Sequence, residues 1–330
     1  MVAAVWFLYF RAGGFQWGLF WETFRKLDWR WLAVSVFFAL LTYLGRALRW
    51  QVLLRPMREK SSLWNLFSAT AVGFSAIVLL GRPGEMVRPY LIAMKERVSF
   101  SSQVGAWLLE RVYDLLMALV IFGLALSRVD ASQAALGEGL QWVLRVGGFA
   151  VGILGAVCLG FLFAVRKFSD TFAKRLLAAL SFLPESYKHR IERYASAFSK
   201  GMGSTRSNSF VATVLMYTVI EWVLIVFCYL AVFQASPVTR AFHINDVLIF
   251  VGFVSFGAVI QIPGVGGGLQ LTSIVVLTEL FGLGIEVSSG IAMVIWSITF
   301  VVIVPFGLVL ALHDGLNWRK LKELSREASL

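Results

Sequence analysis

Charged residues are scarce in this chain. Aspartate, glutamate, lysine and arginine make up 15% of its 330 residues, whereas a typical soluble domain contains about 25%. Hydrophobic residues make up 58%, against roughly 45–50% in a soluble domain. The balance excludes a disordered chain, which combines low hydrophobicity with high charge, and it argues against a soluble globule, because so much apolar surface could not be hidden from water. It predicts a polytopic helical membrane protein.

Cysteine and histidine are also rare, with two and three residues respectively. Cys158 and Cys228 lie within apolar runs and the histidines are scattered, so neither a disulfide framework nor a metal site is predicted. The sequence contains no Gly-Lys-Ser/Thr phosphate loop, no Gly-x-Ser-x-Gly elbow and no His-Glu-x-x-His pair. We therefore expect no catalytic residues and no cofactor, and the pattern favours a transporter over an enzyme.

Five long apolar runs could each cross a membrane once, which requires about 20 residues. They are Leu32–Leu54, Val104–Leu126, Trp142–Val165, Phe210–Phe233 and Ser288–Leu312. Two further apolar regions are interrupted by proline and glycine, which end helices. These are Leu63–Leu80, and Asp246–Ile262 with its continuation Leu269–Phe281. The residues expected at the interruptions are Pro83, Gly84, Pro263, Gly264, Gly266 and Gly267.

An interrupted helix in lipid must satisfy its free backbone groups within protein or in a wet cavity. The sequence therefore predicts an all-α transmembrane bundle that contains two broken or re-entrant helical hairpins. The two hairpins share a Val-Gly-Phe sequence ahead of Pro-Gly, at Val72–Phe74 and Val251–Phe253, and each is followed by Ser-Ser and a spanning helix. The shared pattern predicts an internal repeat, for which chance similarity between apolar segments is the alternative.

Lysine and arginine orient the predicted spans, because cytoplasmic loops are enriched in both residues. Residues 166–206 contain nine basic and three acidic residues, and the C-terminal tail is basic as well, so both are predicted to be cytoplasmic in a multi-pass protein of the inner (plasma) membrane. One hairpin then enters from each side, which makes the repeat an inverted one, as in many transporters. Apolar residues at helical spacing within Phe168–Lys200 predict a pair of amphipathic helices on the inner leaflet, with a solvated linker as the alternative.

The whole chain, residues 1–330, is predicted to be one membrane domain. Its halves, residues 32–126 and 210–312, are joined by the span 142–165 and the linker 166–206. Charged residues within the spans mark the candidate site, because such residues are costly in lipid and are usually paired or functional. They are Arg46, Arg49, Arg82, Glu85, Arg88, Glu110, Arg111, Asp114 and Glu221.

Two physical features of these residues point to a phosphate headgroup. Guanidinium groups bind phosphate oxygens in pairs, and backbone N–H groups at a helix start attract anions. For Glu110 and Asp114, structural pairing with arginines and handling of a substrate or ion are both open. For Arg82 and Arg88, the alternative to headgroup binding is anchoring at the cytoplasmic interface.

Four motifs occur in order along the chain: Arg49-Trp50, Gly81-Arg82-Pro83-Gly84-Glu85-x-x-Arg88, Glu110-Arg111-x-x-Asp114 and Pro263-Gly264-x-Gly266-Gly267. Together they resemble the membrane region of the lysylphosphatidylglycerol synthase/flippase family over roughly residues 30–312. The resemblance implies an inner-membrane protein that moves lipids between leaflets. The family often has Glu where this chain has Gln270 and Arg where it has Trp296, so Gln270 joins the candidate site but no lipid identity is transferred. The family's synthases add a soluble aminoacyl-transferase domain, which we do not expect in a chain that ends at Leu330.

The combined prediction is a flippase-like lipid translocase for a phospholipid or glycolipid with a charged headgroup. Arg49, Arg82 and Arg88 would hold an anionic headgroup, and Glu110 and Asp114 would neutralise them or a cationic lipid group. The alternatives are a lipid-modifying membrane enzyme related to phosphatidylglycerol lysyltransferase and a membrane partner of a lipid synthase or glycosyltransferase. Membrane lipids are the expected partners, and nucleic acid is not, because the basic residues lie between apolar runs.

Overall fold

The protein is described here by a computed structural model, which covers residues 14–129, 138–179, 197, 200–201, 207–257, 261–262 and 266–314. Nearly all of this part of the chain is helical. Five helical segments are long and apolar enough to cross a membrane: Trp29–Leu54, Leu63–Leu80, Arg145–Lys167, Asn208–Ala235 and Ile285–His313. The predicted all-α transmembrane bundle is confirmed.

The first half of the chain folds into five α-helices and one 3₁₀ turn. They are α1 (Trp17–Arg25), α2 (Trp29–Leu54), α3 (Leu63–Leu80), the 3₁₀ turn Arg82–Met86, α4 (Val87–Glu96) and α5 (Phe100–Leu126). Helices α2 and α3 begin at the N-caps Asp28 and Ser62, whose side-chain oxygens accept backbone N–H groups, as these residue types do at helix starts. Helix α3 ends at Gly81, whose φ of 73° is readily adopted only by glycine, so the first helix break lies where the sequence predicted it.

Helix α6 (Glu138–Ala179) follows α5 and continues without a break beyond the predicted span 142–165. The segment predicted as the first amphipathic helix is therefore, up to Ala179, an extension of the span. Residues 180–196 of the predicted linker lie outside the described residues.

The second half forms a second interrupted hairpin and a final helix with an irregular middle. Its elements are α7 (Asn208–Ala235), α8 (Ile244–Gly257), β1 (Gln261–Ile262), β2 (Gly266–Gly267), α9 (Gly268–Glu279), α10 (Ile285–Trp296), the π-helical turn Ser297–Val301 and α11 (Ile303–His313). The two short strands pair antiparallel, with Gln261 opposite Gly267. Gly266 and Gly267 thus lie in the break between α8 and α9, whereas Pro263 and Gly264 lie outside the described residues.

One end of the bundle, here called the first end, gathers the start of α3 and the ends of α4 and α11. Asn65 Nδ2 donates to Glu96 Oε1 at 2.8 Å, so α3 and α4 form a hairpin that opens at this end. Ser68 Oγ donates to Asp314 Oδ2 at 3.0 Å, and Lys95 forms an ion pair with the same carboxylate. The break between α3 and α4 therefore points into the bundle, away from the first end.

The opposite, or second, end gathers the start of α2, the end of α7 and the opening of the other hairpin. The backbone N–H of Asp28 donates to the Ala235 carbonyl at 2.9 Å. The rings of Phe242, just before α8, and Phe281, just after α9, lie 4.7 Å apart. The two interrupted hairpins thus open at opposite ends of the bundle, an arrangement that the predicted inverted repeat requires; the repeat itself stays a prediction.

Helices α2 and α7 pack together at the centre, with α3 against α11 on one flank and α8 against α5 on the other. Glycine permits the close approach on both flanks. A Cβ on Gly307 of α11 would lie 2.0 Å from Ser75 Oγ of α3, and a Cβ on Gly252 of α8 would lie 2.9 Å from Ala125 Cβ of α5. Small residues serve this purpose at helix contacts in lipid, where close van der Waals packing drives association.

Candidate functional site

Charged residues of three helices meet at Arg49 of α2, which is fully buried. Its Nη1 lies 2.6 Å from Asp114 Oδ1, and its Nη2 lies 2.7 Å from Glu110 Oε1 and 3.2 Å from Glu221 Oε2. One guanidinium therefore binds three carboxylates, two on α5 and one on α7. The arrangement follows from helical spacing, because Glu110 and Asp114 are four residues apart and share one face of α5.

Arg46 precedes Arg49 by three residues and lies on the same face of α2. Its Nη2 is 2.6 Å from Glu221 Oε1, and its guanidinium stands 4.8 Å from the centre of the Phe74 ring. Arg46 keeps 16% of its side-chain surface exposed, against 1% for Glu221. The pair thus lies at the boundary between the buried cluster and open space.

Arg88, at the start of α4, joins the first hairpin to the cluster. Its Nη1 donates to both oxygens of Glu110, at 3.0 and 3.1 Å, and its Nη2 donates to the Arg46 carbonyl at 3.2 Å. The guanidinium also lies 4.1 Å from the Trp50 ring centre, within the range of a cation–π contact. Gly73 of α3 makes this approach possible, because a Cβ there would lie 2.5 Å from Arg88 Cβ.

Two further arginines of the site are more exposed. Arg111 of α5 is 37% exposed and lies 3.5 Å from Glu110 and 3.4 Å from Asp114. Arg82, in the 3₁₀ turn, is 54% exposed and lies 3.5 Å from Glu85. Charge-assisted hydrogen bonds are usually about 2.7–2.9 Å long, so the Arg111 guanidinium retains capacity for a shorter contact with a ligand.

These groups surround a central cavity of about 330 Å³. Its charged lining consists of Arg46, Arg82, Glu85, Arg88, Arg111, Asp114 and Glu221. Aromatic walls are formed by Tyr43, Phe74, Trp107, Trp222, Tyr229, Phe256 and Phe300. The volume lies at the lower end of the ~300–1,000 Å³ range of ligand pockets, which suits a headgroup whose acyl chains remain in the bilayer.

Both interrupted hairpins and the π-helical turn border the cavity. The first hairpin contributes Phe74, Ile77 and two residues of the 3₁₀ turn, and the second contributes Val251, Val254, Ser255, Phe256 and Leu269. Thr299 of the π-helical turn lines the cavity, and its carbonyl accepts the Tyr43 hydroxyl at 2.5 Å. π-Helical turns within α-helices are frequent at functional sites.

Within the described part of the chain, the charged lining is unbalanced: four guanidiniums face three carboxylates. These residues give the cavity one formal positive charge in surplus. Arginine binds phosphate and carboxylate in planar, two-point geometry, so an anionic headgroup is the ligand that this lining would attract. Among the described residues, no group of three or more histidine, cysteine, aspartate or glutamate side chains is placed to hold a metal ion.

The site residues predicted from the sequence lie in two layers, except Gln270, which lies apart from both. Arg49 and Glu110 are fully buried and lie behind the cavity wall, whereas the other predicted charged residues line it. Gln270 is not part of the lining; its side-chain oxygen accepts the Gly267 N–H at 2.5 Å at the start of α9. Glu110 is thus paired with arginines, which was one of the two alternatives for this residue. Its role in handling a substrate or ion stays a prediction.

Sequence reasoning overlooked several neutral contributors. The Thr218 hydroxyl accepts a hydrogen bond from Arg49 Nη1 at 3.1 Å. Thr218 lies three residues before Glu221 and so shares its face of α7. Tyr43 lies three residues before Arg46 in the same way. Helical spacing from a charged residue was the signal that could have found both.

The model of one protein family, described as the lysylphosphatidylglycerol synthase TM region, matches residues 1–307 of the chain. The matched range includes every predicted site residue. No curated protein matches the chain. No solved structure matches it either.

Proposed function

Because the chain belongs to the family of lysylphosphatidylglycerol synthase transmembrane regions, we propose that it binds the anionic headgroup of a membrane lipid in the central cavity and moves that lipid between leaflets. The protein is a membrane protein of the lysylphosphatidylglycerol synthase/flippase type. The proposal adds two points to this: the protein translocates the lipid, and the lipid headgroup is anionic.

One observation carries the proposal: a cavity with a surplus positive charge is bordered by two interrupted hairpins that open at opposite ends of the bundle. Broken helices near the membrane midplane are where secondary transporters bind their substrates. A hairpin that moves at the first end would open the cavity to one side, and a hairpin that moves at the second end would open it to the other. Two separate gates around one site are the requirement for alternating access.

The packing of the bundle supports the same reading. A two-fold axis that exchanged the halves would exchange the α3–α11 contact with the α8–α5 contact, and both contacts are present. The α2–α7 contact at the centre would map onto itself. This reciprocal pattern favours the predicted inverted repeat, in which the two hairpins would act as equivalent gates.

We further propose that the first end faces the cytoplasm of the inner membrane. Its loops carry Arg55, Arg58, Lys60 and Arg97, and Lys95 lies in the last turn of α4. Basic residues concentrate in short cytoplasmic loops and near span ends. The headgroup would then enter or leave the cavity on the cytoplasmic side when the first hairpin moves.

Leaflet-resolved lipid transfer in proteoliposomes tests the proposal. Vesicles of phosphatidylcholine with trace fluorescent phosphatidylglycerol, phosphatidylcholine or lysylphosphatidylglycerol would be compared, and the label in the outer leaflet would be quenched over time. We expect faster transfer of phosphatidylglycerol than of the zwitterionic or cationic probe. Arg111→Ala should slow it about tenfold or more, as loss of one charge-assisted contact predicts.

The matched control is Arg25→Ala, which removes an exposed arginine of α1 outside the cavity and should leave the rate unchanged. Equal transfer rates in protein-free and protein-containing vesicles for all three probes would disprove translocation of these lipids. Recovery of chemically altered lipid from the vesicles would instead favour the lipid-modifying enzyme.

A further inference from the structure

Glu221 differs from Glu110 and Asp114, the other carboxylates around Arg49, in the position of its main partner. Its Oε1 is paired at 2.6 Å with Arg46, which lines the cavity and is partly exposed. Its Oε2 has only the longer 3.2 Å contact with Arg49. A ligand in the cavity can therefore reach and engage the guanidinium that chiefly neutralises Glu221.

The same ligand could not isolate Glu110 or Asp114. Glu110 is held by Arg49 at 2.7 Å and by Arg88 through both of its oxygens. Asp114 is held by Arg49 through both of its oxygens, at 2.6 and 3.2 Å. Because Arg49 is fully buried behind the wall, a headgroup in the cavity would leave these contacts in place.

The charges grouped around Glu221 and its partner Arg49 come from two helices. Helix α2 supplies Arg46 and Arg49, and α5 supplies Glu110 and Asp114 on the far side of Arg49. The rest of the charged cavity lining consists of Arg82, Glu85, Arg88 and Arg111. Its own helix adds the neutral Thr218 and Trp222. The parts of α8 and of the π-helical turn that line the cavity contribute uncharged residues, namely Val251, Val254, Ser255, Phe256, Thr299 and Phe300.

We propose that Glu221 is a proton-binding site, and that it takes up one proton when an anionic lipid headgroup binds Arg46. This inference rests on the proposed function. A phosphate oxygen of the headgroup replaces Glu221 Oε1 at Arg46 Nη2. The carboxylate, almost wholly excluded from water and beside two other carboxylates, then binds a proton from the cavity, because burial and like charges both favour its neutral form.

Release completes the cycle. When the headgroup leaves on the opposite side, Arg46 pairs again with Glu221 and the proton departs to that side. Each lipid that carries one negative charge thus moves together with one proton, and the total charge of the occupied cavity equals that of the empty one. Translocation is therefore electrically neutral and is driven by a pH gradient, whereas a membrane potential leaves it unaffected.

The decisive measurement is the steady-state distribution of fluorescent phosphatidylglycerol in proteoliposomes with an imposed pH gradient. One-for-one coupling predicts that the label concentrates about tenfold per pH unit in the leaflet facing the alkaline side, since a tenfold ratio balances a tenfold difference in proton concentration. A potassium gradient with valinomycin should leave the distribution unchanged. The transfer that Glu221→Gln retains should give an even distribution whatever the pH gradient, and the control Glu22→Gln, outside the cavity, should behave as the unaltered protein.

A second measurement separates this inference from translocation itself. The detergent-solubilised protein is mixed with short-chain phosphatidylglycerol in weakly buffered solution, and proton uptake is followed with an indicator dye. We expect about one proton per bound lipid for the unaltered protein and none for Glu221→Gln. Transfer that responds to potential but not to pH would overturn the inference and leave the proposed function standing. Binding without proton uptake would overturn it as well, whereas uptake without transfer would retain the proton site and remove the translocase.

Discussion

Arg49 and Glu110 form an ion pair 2.7 Å long in which both side chains are fully excluded from solvent. Neither residue lines the cavity, yet each contacts residues that do: Arg49 contacts Asp114 and Glu221, and Glu110 contacts Arg88. The pair therefore fixes the positions of cavity side chains on three elements, α4, α5 and α7. Loss of either partner should disturb both the stability of the bundle and the shape of the site.

Glu110→Gln should destabilise the protein strongly. The substitution leaves the buried guanidiniums of Arg49 and Arg88 without one of their negative partners, and breaking a buried pair in this way costs about 3–5 kcal/mol. Unfolding of the detergent-solubilised protein, followed by circular dichroism against denaturant, would measure the change in free energy.

The matched control is Glu85→Gln, which removes a carboxylate from a partly exposed pair 3.5 Å long. Pairs of this kind contribute roughly 0–1 kcal/mol, so little change is expected. Similar losses for the two variants would contradict the structural role given to Glu110.

Gly84→Ala should disrupt the first helix break. A Cβ at this position would lie 2.4 Å from the carbonyl carbon and oxygen of Ala76, and these backbone atoms of α3 cannot rotate away. Overpacking in a tight site costs about 1–3 kcal/mol, and displacement of the 3₁₀ turn should also slow lipid transfer. Gly152→Ala is the control, because nothing lies within 4 Å of the added methyl group; a loss of stability there as large as at Gly84 would refute the argument from close contact.

Arg82→Gln should weaken lipid binding in a salt-dependent way. Because Arg82 is 54% exposed, its attraction for a headgroup is open to screening, and the Debye length falls from ~10 Å at 0.1 M salt to ~3 Å at 1 M. Binding of short-chain phosphatidylglycerol to the variant and to the unaltered protein should therefore differ clearly at low salt and converge at high salt. A difference that persists at 1 M salt would indicate a direct, shielded contact instead.

Asp314→Asn should loosen the contact between α11 and the first hairpin. Burial alone would raise the pKa of Asp314, but hydrogen bonds from Lys95 and Ser68 outweigh burial and lower that pKa below its ordinary value of 3.8. A lowered carboxyl pKa stabilises the folded state above the ordinary value and ceases to do so as the pH falls through the folded value. The variant should thus lose up to about 1 kcal/mol at neutral pH, and its deficit should shrink below pH 3.8.

Lys95→Met provides the cross-check for this carboxylate. If the two side chains act through each other, the double variant should be scarcely less stable than either single variant. Additive losses would show that Lys95 and Asp314 stabilise the bundle independently.

The sequence was sufficient to predict the helices because a segment that crosses lipid must be long and apolar and must satisfy its own backbone groups, which a helix does. Four of the five predicted spans lie within single observed helices, the fifth, Ser288–Leu312, extends over α10, the π-helical turn and α11, and the break at Pro83 and Gly84 is an observed break. The charged cluster was also predictable, since every buried charge in a span needs a partner and the candidates were few. Which arginine bonds to which carboxylate was not predictable, because the pairing depends on contacts between α2, α5 and α7 that local spacing does not specify.

Two features were beyond sequence reasoning for physical reasons. The separation of Arg49 from the cavity depends on the depth at which α2 packs, which is set by side-chain volumes across the whole bundle. The second feature is the continuation of α6 to Ala179. Apolar and amphipathic segments both form helices, and no glycine or proline between the two segments marks an end, so the sequence did not show that they form one helix.

The number of residues in the π-helical turn Ser297–Val301 determines which face of α11 packs against α3. An α-helix turns ~100° per residue, and a π-helical turn accommodates one residue more than an α-helical turn, so the face that α11 presents is rotated by about that angle relative to an uninterrupted continuation of α10. Only with that offset does Gly307 lie against Ser75. A single-residue deletion within Ser297–Val301, harmless to hydrophobicity and charge, would turn bulkier side chains of α11 towards α3, so insertions and deletions here should be selected against more strongly than substitutions.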